Sequence, residues 1–136
     1  RGEPSRTGIA TGVNGIDKII PGMEPGELIV IAARPGIGKS ALAALIARNV
    51  ALFGGRVMFF SLEMPHAQLT TRILSMTSGV SLSAIRGHRA LTESEKELIF
   101  RTLGTDLAQL PIVYCDRRGI TAESSATAST TTSLWP

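Results

Sequence analysis

Residues 28–52 constrain the fold of this chain more than any other part of its 136 residues. Residues 28–32, Leu-Ile-Val-Ile-Ala, form an apolar run with no polar alternation. Such a run is typical of a strand that is buried on both faces of a parallel sheet. A loop with two glycines follows directly, and Ala and Leu then dominate from Lys39 to about Leu52, before Gly54 and Gly55 stop the helix. These residues therefore predict a strand, a tight loop and a helix in immediate succession.

The remainder of the chain continues the alternation of strands and helices. Thr92 and Glu95 have the spacing of a capping box, in which each side chain accepts the other residue's backbone N–H. The predicted elements are a helical turn at 15–20, a strand at 57–61, helices at 65–79, 81–86 and 92–107, and a strand at 111–115. Unalternated apolar strands between helices indicate an α/β fold with a mainly parallel sheet flanked by helices.

The loop at residues 33–40, Ala-Arg-Pro-Gly-Ile-Gly-Lys-Ser, fits the spacing G-x-x-x-x-G-K-[ST], with Ala33 at the first position. Two glycines let consecutive N–H groups point inward around phosphate oxygens, and the following helix adds its own N–H groups and the positive end of its dipole. Lys39 is expected to reach the β- and γ-phosphates, and the Ser40 hydroxyl to coordinate Mg²⁺. The loop therefore predicts ATP and Mg²⁺ as cofactors. The predicted binding residues are Arg34, Pro35, Gly36, Ile37, Gly38, Lys39, Ser40 and Ala41.

Glu63 is the candidate catalytic residue outside the loop. It follows the predicted strand at 57–61, and the carboxyl ends of parallel strands gather functional residues at one edge of a sheet. A carboxylate there can orient and deprotonate the water that attacks the γ-phosphate, which Lys39 would also contact. Spacing alone favours equally a second role, in which Glu63 interacts with the dipole of the helix predicted from residue 65.

Charge and composition limit the class of protein less sharply. The net charge of +3 is compatible with a nucleotide or a nucleic acid as partner. We interpret the basic clusters at 86–89 and 117–118 as solvated loop charges in preference to DNA contacts. His66 and His88 have no further ligand at metal-binding spacing, so no metal site is predicted on them.

Cysteine usage and hydropathy suggest a compartment. The single Cys115 excludes an internal disulfide, suits a reducing cytosol, and is predicted to be an inert residue of the core. No apolar run approaches the length of a membrane span, and the N-terminus has no pattern of a signal peptide. We therefore expect a cytoplasmic protein with no membrane partner.

These segments together resemble the C-terminal, RecA-like ATPase domain of replicative DNA helicases of the DnaB family. The most specific segment is 59–64, Phe-Phe-Ser-Leu-Glu-Met, with Gln68, Leu69 and Arg72 beyond it. The other similar segments are 11–17, 28–40, 79–80, 91–92 and 110–112. The resemblance covers roughly residues 8–121.

The resemblance implies an ATP-driven motor that assembles as a hexameric ring and moves on single-stranded DNA. It implies that Lys39 and Ser40 are phosphate and Mg²⁺ ligands and that Glu63 is the catalytic glutamate. The family continues beyond Thr121 with an aspartate that holds the metal-bound water, DNA-binding loops and an arginine finger. None of these is recognisable in this sequence, which is expected to match only the first half of the motor domain.

The end of the chain differs in composition. Residues 124–133 are Ser, Thr and Ala without charge or periodicity, and such a segment cannot bury enough apolar surface to offset its ordering entropy. We therefore divide the chain into a partial RecA-like ATPase domain at 1–121 and a Ser/Thr-rich, disordered tail at 122–136.

Two other functions remain compatible with the sequence. The first is another RecA-fold ATPase of the recombinase or clock type, which shares the phosphate loop but not the Ser-Leu-Glu-Met segment at 61–64. The second is a nucleotide-binding or ring-interaction module that does not hydrolyse ATP. A comparison of nucleotide binding with turnover separates this module from an enzyme.

Overall fold

A computed structural model describes residues 8–20 and 22–115 of the chain. In chain order its elements are α1 (Asn14–Asp17), α2 (Lys39–Leu52), β1 (Val57–Phe60), α3 (His66–Ser78), α4 (Leu82–Ile85), α5 (Glu93–Thr102), a π-helical turn (Leu103–Leu107) and β2 (Ile112–Cys115). Each predicted helix and two of the three predicted strands are therefore confirmed, with differences of a few residues at their ends.

The ends of the helices follow from local chemistry. Thr92 Oγ1 accepts the backbone N–H of Glu95 at 3.2 Å, and Glu95 Oε2 accepts that of Thr92 at 3.0 Å, so the predicted capping box starts α5. Pro65 is the N-cap of α3, and its position just before the first helical residue suits a residue that has no N–H to donate. The helix predicted to reach Leu107 changes at Leu103 from α-helical to π-helical hydrogen bonding.

The sheet of the described residues has two parallel strands, β1 and β2. Val57 pairs with Ile112 and Phe60 with Cys115, and the Ser61 N–H continues the ladder by donating to the Cys115 carbonyl at 2.9 Å. A parallel pair requires a crossover between its strands, and here α3, α4 and α5 form that crossover. The predicted parallel sheet flanked by helices is confirmed.

The core lies between α2, α3 and one face of the sheet. Ala44, Leu69 and Ile73 are its most buried residues, with at most 1% of their surface exposed. The partly buried hydrophobic residues packed on them are Phe59, Met64, Met76, Leu107, Leu110, Ile112 and Tyr114. This packing holds α3 beside β1 and beside α2, the helix that follows the phosphate loop.

The segment that precedes α1 is attached to α2 through polar contacts. Asn49 of α2 is buried and donates its side-chain amide to the Thr11 carbonyl at 3.1 Å. The Asp17 carboxylate accepts hydrogen bonds from the backbone N–H groups of Thr11 and Gly12, at 2.9 and 3.0 Å, and from the Thr11 hydroxyl at 2.6 Å. These contacts give the polar residues of the segment 11–17 a structural role at the edge of α2.

The strand predicted at residues 28–32 is the one element for which the prediction was wrong. The segment belongs to no β-ladder, and Leu28 and Val30 are 89% and 77% exposed. An apolar cleft of about 720 Å³ separates it from β1, with Leu42, Ile46 and Val50 of α2 among its other walls. A strand needs a neighbour to receive its N–H and C=O groups, and no described residue pairs with this segment in a ladder. Its apolar residues are typical of a buried strand, but the described part of the chain leaves them exposed.

In residues 8–20 and 22–115 no helix is both long and apolar enough to cross a membrane. The basic pair at 117–118 and the Ser/Thr-rich tail at 122–136, predicted from composition, lie outside the described residues.

Candidate nucleotide-binding site

The phosphate loop has the backbone conformation that the sequence predicts. Gly36 and Gly38 have φ values of +83° and +108°, in the left-handed region that favours glycine. Gly38 is the N-cap of α2, and its carbonyl accepts the Leu42 N–H at 2.9 Å. No side chain caps α2, so the first N–H groups of this helix remain available to an anion.

One open cleft of about 350 Å³ brings most of the predicted site residues together. Its lining consists of Ala33, Arg34, Pro35, Gly36, Gly38, Lys39, Ser40, Ala41, Glu63, Met64 and Arg72. Ile37 is the exception among the predicted binding residues, because it does not line the cleft and is 70% exposed. Its position in the motif tolerates any side chain, which agrees with a side chain directed away from the cleft.

Glu63 reaches the cleft from the end of β1 through a short, hydrogen-bonded turn. Ser61 Oγ donates to the Met64 carbonyl at 2.7 Å and accepts the Met64 N–H at 3.1 Å, which closes the turn around Leu62 and Glu63. Glu63 precedes the N-cap of α3 by two residues, and the first turn of α3 contains no acidic residue. This position favours a role towards the cleft over the helix-dipole role that spacing alone left open.

The charges of the cleft match a polyanion. Three cationic side chains, Arg34, Lys39 and Arg72, line it together with a single carboxylate, Glu63. A bound nucleoside triphosphate is strongly negative, and Mg²⁺ compensates part of that charge. The Ser40 hydroxyl lies in the same lining as Lys39 and is a hard oxygen ligand that suits Mg²⁺. The side chains present therefore fit both ATP and its metal.

Arg72 is the cleft residue to which the sequence reasoning assigns no role beyond its place in the segment that resembles the DnaB family. Arg72 lies nine residues after Glu63, and this spacing alone does not indicate that the two share a cleft. A turn and the start of α3 lie between them. Only the packing of α3 brings Arg72 into the same cleft as the loop.

The basic cluster at 86–89 has a structural explanation for one of its members. Arg89 forms a bidentate ion pair with Glu95, with N–O distances of 2.5 and 2.8 Å. The Arg89 guanidinium and the Thr92 N–H together lower the pKa of the Glu95 carboxyl to about 2. Arg89 thus supports the capping box of α5, which agrees with the interpretation of this cluster as loop charges.

Cys115 and Tyr114 complete the titratable residues of β2. Cys115 is partly buried at the end of the strand and is a free thiol. Burial raises the pKa of Tyr114, whose ring contacts those of Phe59 and His66 at centroid distances of 6.5 and 4.7 Å. Both β2 residues therefore pack within the fold and do not line the phosphate cleft.

The chain is similar to curated replicative DNA helicases. The replicative DNA helicase DnaB of Pasteurella multocida is 39% identical over 111 residues, which are 81% of this chain and 24% of that protein. The same helicase of Haemophilus influenzae is 34% identical over 116 residues, or 85% of this chain and 25% of that protein. The chain thus spans about a quarter of the length of these relatives.

Two solved structures share the fold. One is described as an ATPase domain and superposes with a TM-score of 0.85 at 22% identity, covering 96% of this chain and 46% of that one. A DnaB-like replicative helicase, described with its interactions with primase, superposes with a TM-score of 0.87 at 22% identity, covering 99% of this chain and 33% of that one. The fold is therefore that of the RecA-like ATPase domains of helicases, represented in part.

A family model describes most of the sequence. The model of the DnaB-like helicase C terminal domain matches residues 8–131 and extends past residue 121, where the resemblance was expected to end. Together with the curated relatives, this match shows that the chain belongs to the family of DnaB-like helicase C-terminal domains.

Proposed function

We propose that this chain is the nucleotide-binding part of the ATPase motor of a replicative DNA helicase. The observation that carries the proposal is the cleft that contains both the phosphate loop and Glu63. In this proposal residues 34–41 hold the phosphates of ATP, Lys39 contacts the β- and γ-phosphates, and Ser40 is a ligand of Mg²⁺. The left-handed glycines and the uncapped start of α2 support this assignment.

The proposed chemistry at Glu63 is general-base catalysis. Glu63 accepts a proton from the water that attacks the γ-phosphate, and the ionised carboxylate orients that water beforehand. Mg²⁺, when bound, neutralises negative charge on the phosphate oxygens. Lys39 adds a fixed positive charge from the first turn of α2, so the negative charge of the transition state meets cations that are already in place.

The proposal also covers the role of the complete protein that contains such a domain. We propose that the complete protein forms a ring, with a hexamer as the expected state, and moves on single-stranded DNA to separate the strands of a duplex during replication in the cytoplasm. Membership of the DnaB-like family and the relatives named as replicative helicases support this role. The phosphate cleft supports the ATP-driven part of it.

The described cleft also favours a second function for the chain by itself, that of a module that binds nucleotide with little turnover. Among the described residues that line it, Glu63 is the only carboxylate, and Ser40 is the only predicted metal ligand. With one hydroxyl and one carboxylate among these described residues, the cleft is expected to bind the metal–nucleotide complex weakly and to hydrolyse it slowly. In related enzymes an arginine finger by itself raises kcat by about 10³–10⁵, and no residue of the described cleft is assigned this role.

One experiment tests both functions. Titration calorimetry with Mg²⁺ and ATP measures binding to the purified chain, and phosphate release with and without single-stranded DNA measures turnover. We expect weak binding, negligible hydrolysis and no separation of a forked DNA. Absence of binding would refute the nucleotide site, whereas DNA-stimulated turnover would show that this chain is itself an active motor.

A further inference from the structure

The turn that carries Glu63 contacts β2 at both of its ends. At its beginning, the Ser61 N–H donates to the Cys115 carbonyl at 2.9 Å. At its end, the ring of His66, the first residue of α3, meets the ring of Tyr114 edge to face, with a centroid distance of 4.7 Å and an interplanar angle of 74°. Two consecutive residues of the neighbouring strand therefore hold the chain on either side of Glu63.

Tyr114 is a fixed base for the second of these contacts. It pairs with Phe59 across the parallel ladder, and the two rings lie 6.5 Å apart. It also belongs to the partly buried residues that pack on the core residues Leu69 and Ile73. Packing therefore sets the position of the Tyr114 ring, and an edge-to-face contact at this distance is a preferred geometry for a pair of aromatic rings.

The turn has little packing of its own. Leu62 is 71% exposed, and Glu63 is exposed as well. The two hydrogen bonds of Ser61 Oγ within the turn both end at Met64, before α3 begins. No side chain caps α3 at its start. The ring contact with β2 thus ties the first residue of α3 to the sheet, beyond the point where the hydrogen bonds of the turn end.

The proposed chemistry depends on the position of this turn. A general base acts only within hydrogen-bonding reach of the water whose proton it accepts, and a displacement of about 1 Å costs a large part of the rate. Glu63 lines the phosphate cleft, whereas His66 and Tyr114 do not. The two rings are therefore outside the reach of the phosphates but adjoin the segment that carries the base.

We infer that His66 and Tyr114 are positioning residues for Glu63: their ring contact fixes the start of α3 on β2 and so aims the turn at the phosphate cleft. This inference rests on the proposed function, in which Glu63 is the general base, and extends it to two residues outside the cleft. Since neither ring lines the cleft, their removal is expected to change turnover and not nucleotide affinity.

The experiment uses a full-length protein that carries this domain. His66→Ala removes one ring and should lower kcat by roughly three- to tenfold, the value of one aromatic pair, with unchanged affinity for Mg²⁺–ATP. His66→Phe keeps an aromatic ring against Tyr114 and should restore most of kcat. His88→Ala is the matched control, because His88 is an exposed histidine outside the cleft and its removal should change neither value.

Two further measurements separate positioning from a structural role. In a Glu63→Gln background, His66→Ala should cause no further loss of kcat, because the base that the ring contact positions is already absent. The thermal midpoint of His66→Ala should stay close to that of the parent, since His66 is exposed. A further loss in the Glu63→Gln background, equal kcat of His66→Ala and His66→Phe, or weaker ATP binding with unchanged kcat would overturn the inference.

The other ring provides an independent check. Tyr114→Leu should lower kcat as His66→Ala does, and the double variant should lose no more than either single variant, because both remove the same contact. Additive losses would overturn the inference, and if Tyr114→Leu does not fold, the His66 variants decide it. If Glu63→Gln keeps the turnover of the parent, the proposed function fails. If Glu63→Gln loses turnover and His66→Ala does not, only this inference fails.

Discussion

Lys39 and Glu63 line one cleft, although 24 positions separate them in the chain. Lys39 is the first residue of α2, and Glu63 lies in the turn that follows β1. The two residues also line a smaller adjoining cleft together with Phe59 and Ser61. The cation proposed to bind phosphate and a carboxylate thus line the same cleft at the end of a parallel strand, where α/β proteins commonly bind ligands.

The first prediction concerns Lys39→Ala. We expect this substitution to weaken binding of Mg²⁺–ATP by about 1.5–3 kcal/mol, because it removes a charge-assisted contact with the phosphates. Titration calorimetry measures the affinity, and circular dichroism checks that the fold is intact. Lys96→Ala, on the exposed surface of α5, removes the same charge elsewhere and should leave the affinity unchanged. Equal affinity of Lys39→Ala and the parent would contradict the phosphate-loop assignment.

The second prediction separates chemistry from binding at Glu63. In a full-length protein that carries this domain, Glu63→Gln should keep its affinity for ATP and lose about 10²–10⁴ in turnover, since the amide cannot accept the proton. Single-turnover phosphate release and calorimetry on the same preparation provide the two values. Weaker binding with normal turnover of the bound nucleotide would instead support the helix-dipole role.

The third prediction tests the turn that places Glu63. Ser61→Ala removes both hydrogen bonds that close residues 61–64 and should lower turnover by about tenfold while ATP affinity is retained, because a catalytic group slightly out of place loses much of its effect. Ser75→Ala is the matched control, since Ser75 Oγ donates to the Val80 carbonyl at the same 2.7 Å but lies away from the cleft. Equal turnover of the two variants would refute a positioning role for Ser61.

The fourth prediction compares two leucines in different environments. Leu69 is 1% exposed and Leu28 is 89% exposed. Leu69→Ala should therefore reduce the free energy of unfolding by about 2–5 kcal/mol, whereas Leu28→Ala should change it by less than about 1 kcal/mol. Urea denaturation of both variants measures the difference. Similar losses for both would indicate that residues 28–32 form a buried strand in solution, as their sequence predicts.

The fifth prediction concerns pH and the Arg89–Glu95 pair. The hydrogen bonds from Arg89 and Thr92 lower the pKa of Glu95 from its usual 4.5 to about 2 in the folded protein. A lowered folded-state pKa means that this carboxylate contributes to stability fully above pH 4.5, and that the contribution is lost as the pH falls from 4.5 towards 2.

An NMR titration of the Glu95 carboxyl carbon measures this pKa directly. Arg89→Gln should raise it towards 4.5 and should reduce the loss of stability on acidification over the same pH range. The control is Lys96→Gln, which breaks the exposed ion pair of α5 with Glu93 and should leave the pKa of Glu95 unchanged. A Glu95 pKa that does not change in Arg89→Gln would contradict the assigned cause.

The phosphate loop and the helices could be predicted from the sequence because their signals are local. The positive φ values of Gly36 and Gly38 follow from a turn that only glycine adopts readily, and the start of α5 follows from two side chains three residues apart. Glu63 is a candidate on sequence grounds because it follows an apolar strand at a fixed distance. These features depend on residues that are close in the chain, and the amino-acid sequence specifies them directly.

The tertiary structure decided which residues that are distant in the chain contact one another. Residues 28–32 have the composition of a buried strand, but strand formation needs a partner, and the described residues provide an apolar cleft in its place. The position of Arg72 depends on the packing of Leu69 and Ile73, which anchors α3 beside the loop. The sequence alone determined which neighbouring residues are candidates to bind phosphate. Only packing over long separations in the chain placed Arg72 in the same cleft, because side-chain contacts between elements follow from the shape of the whole core.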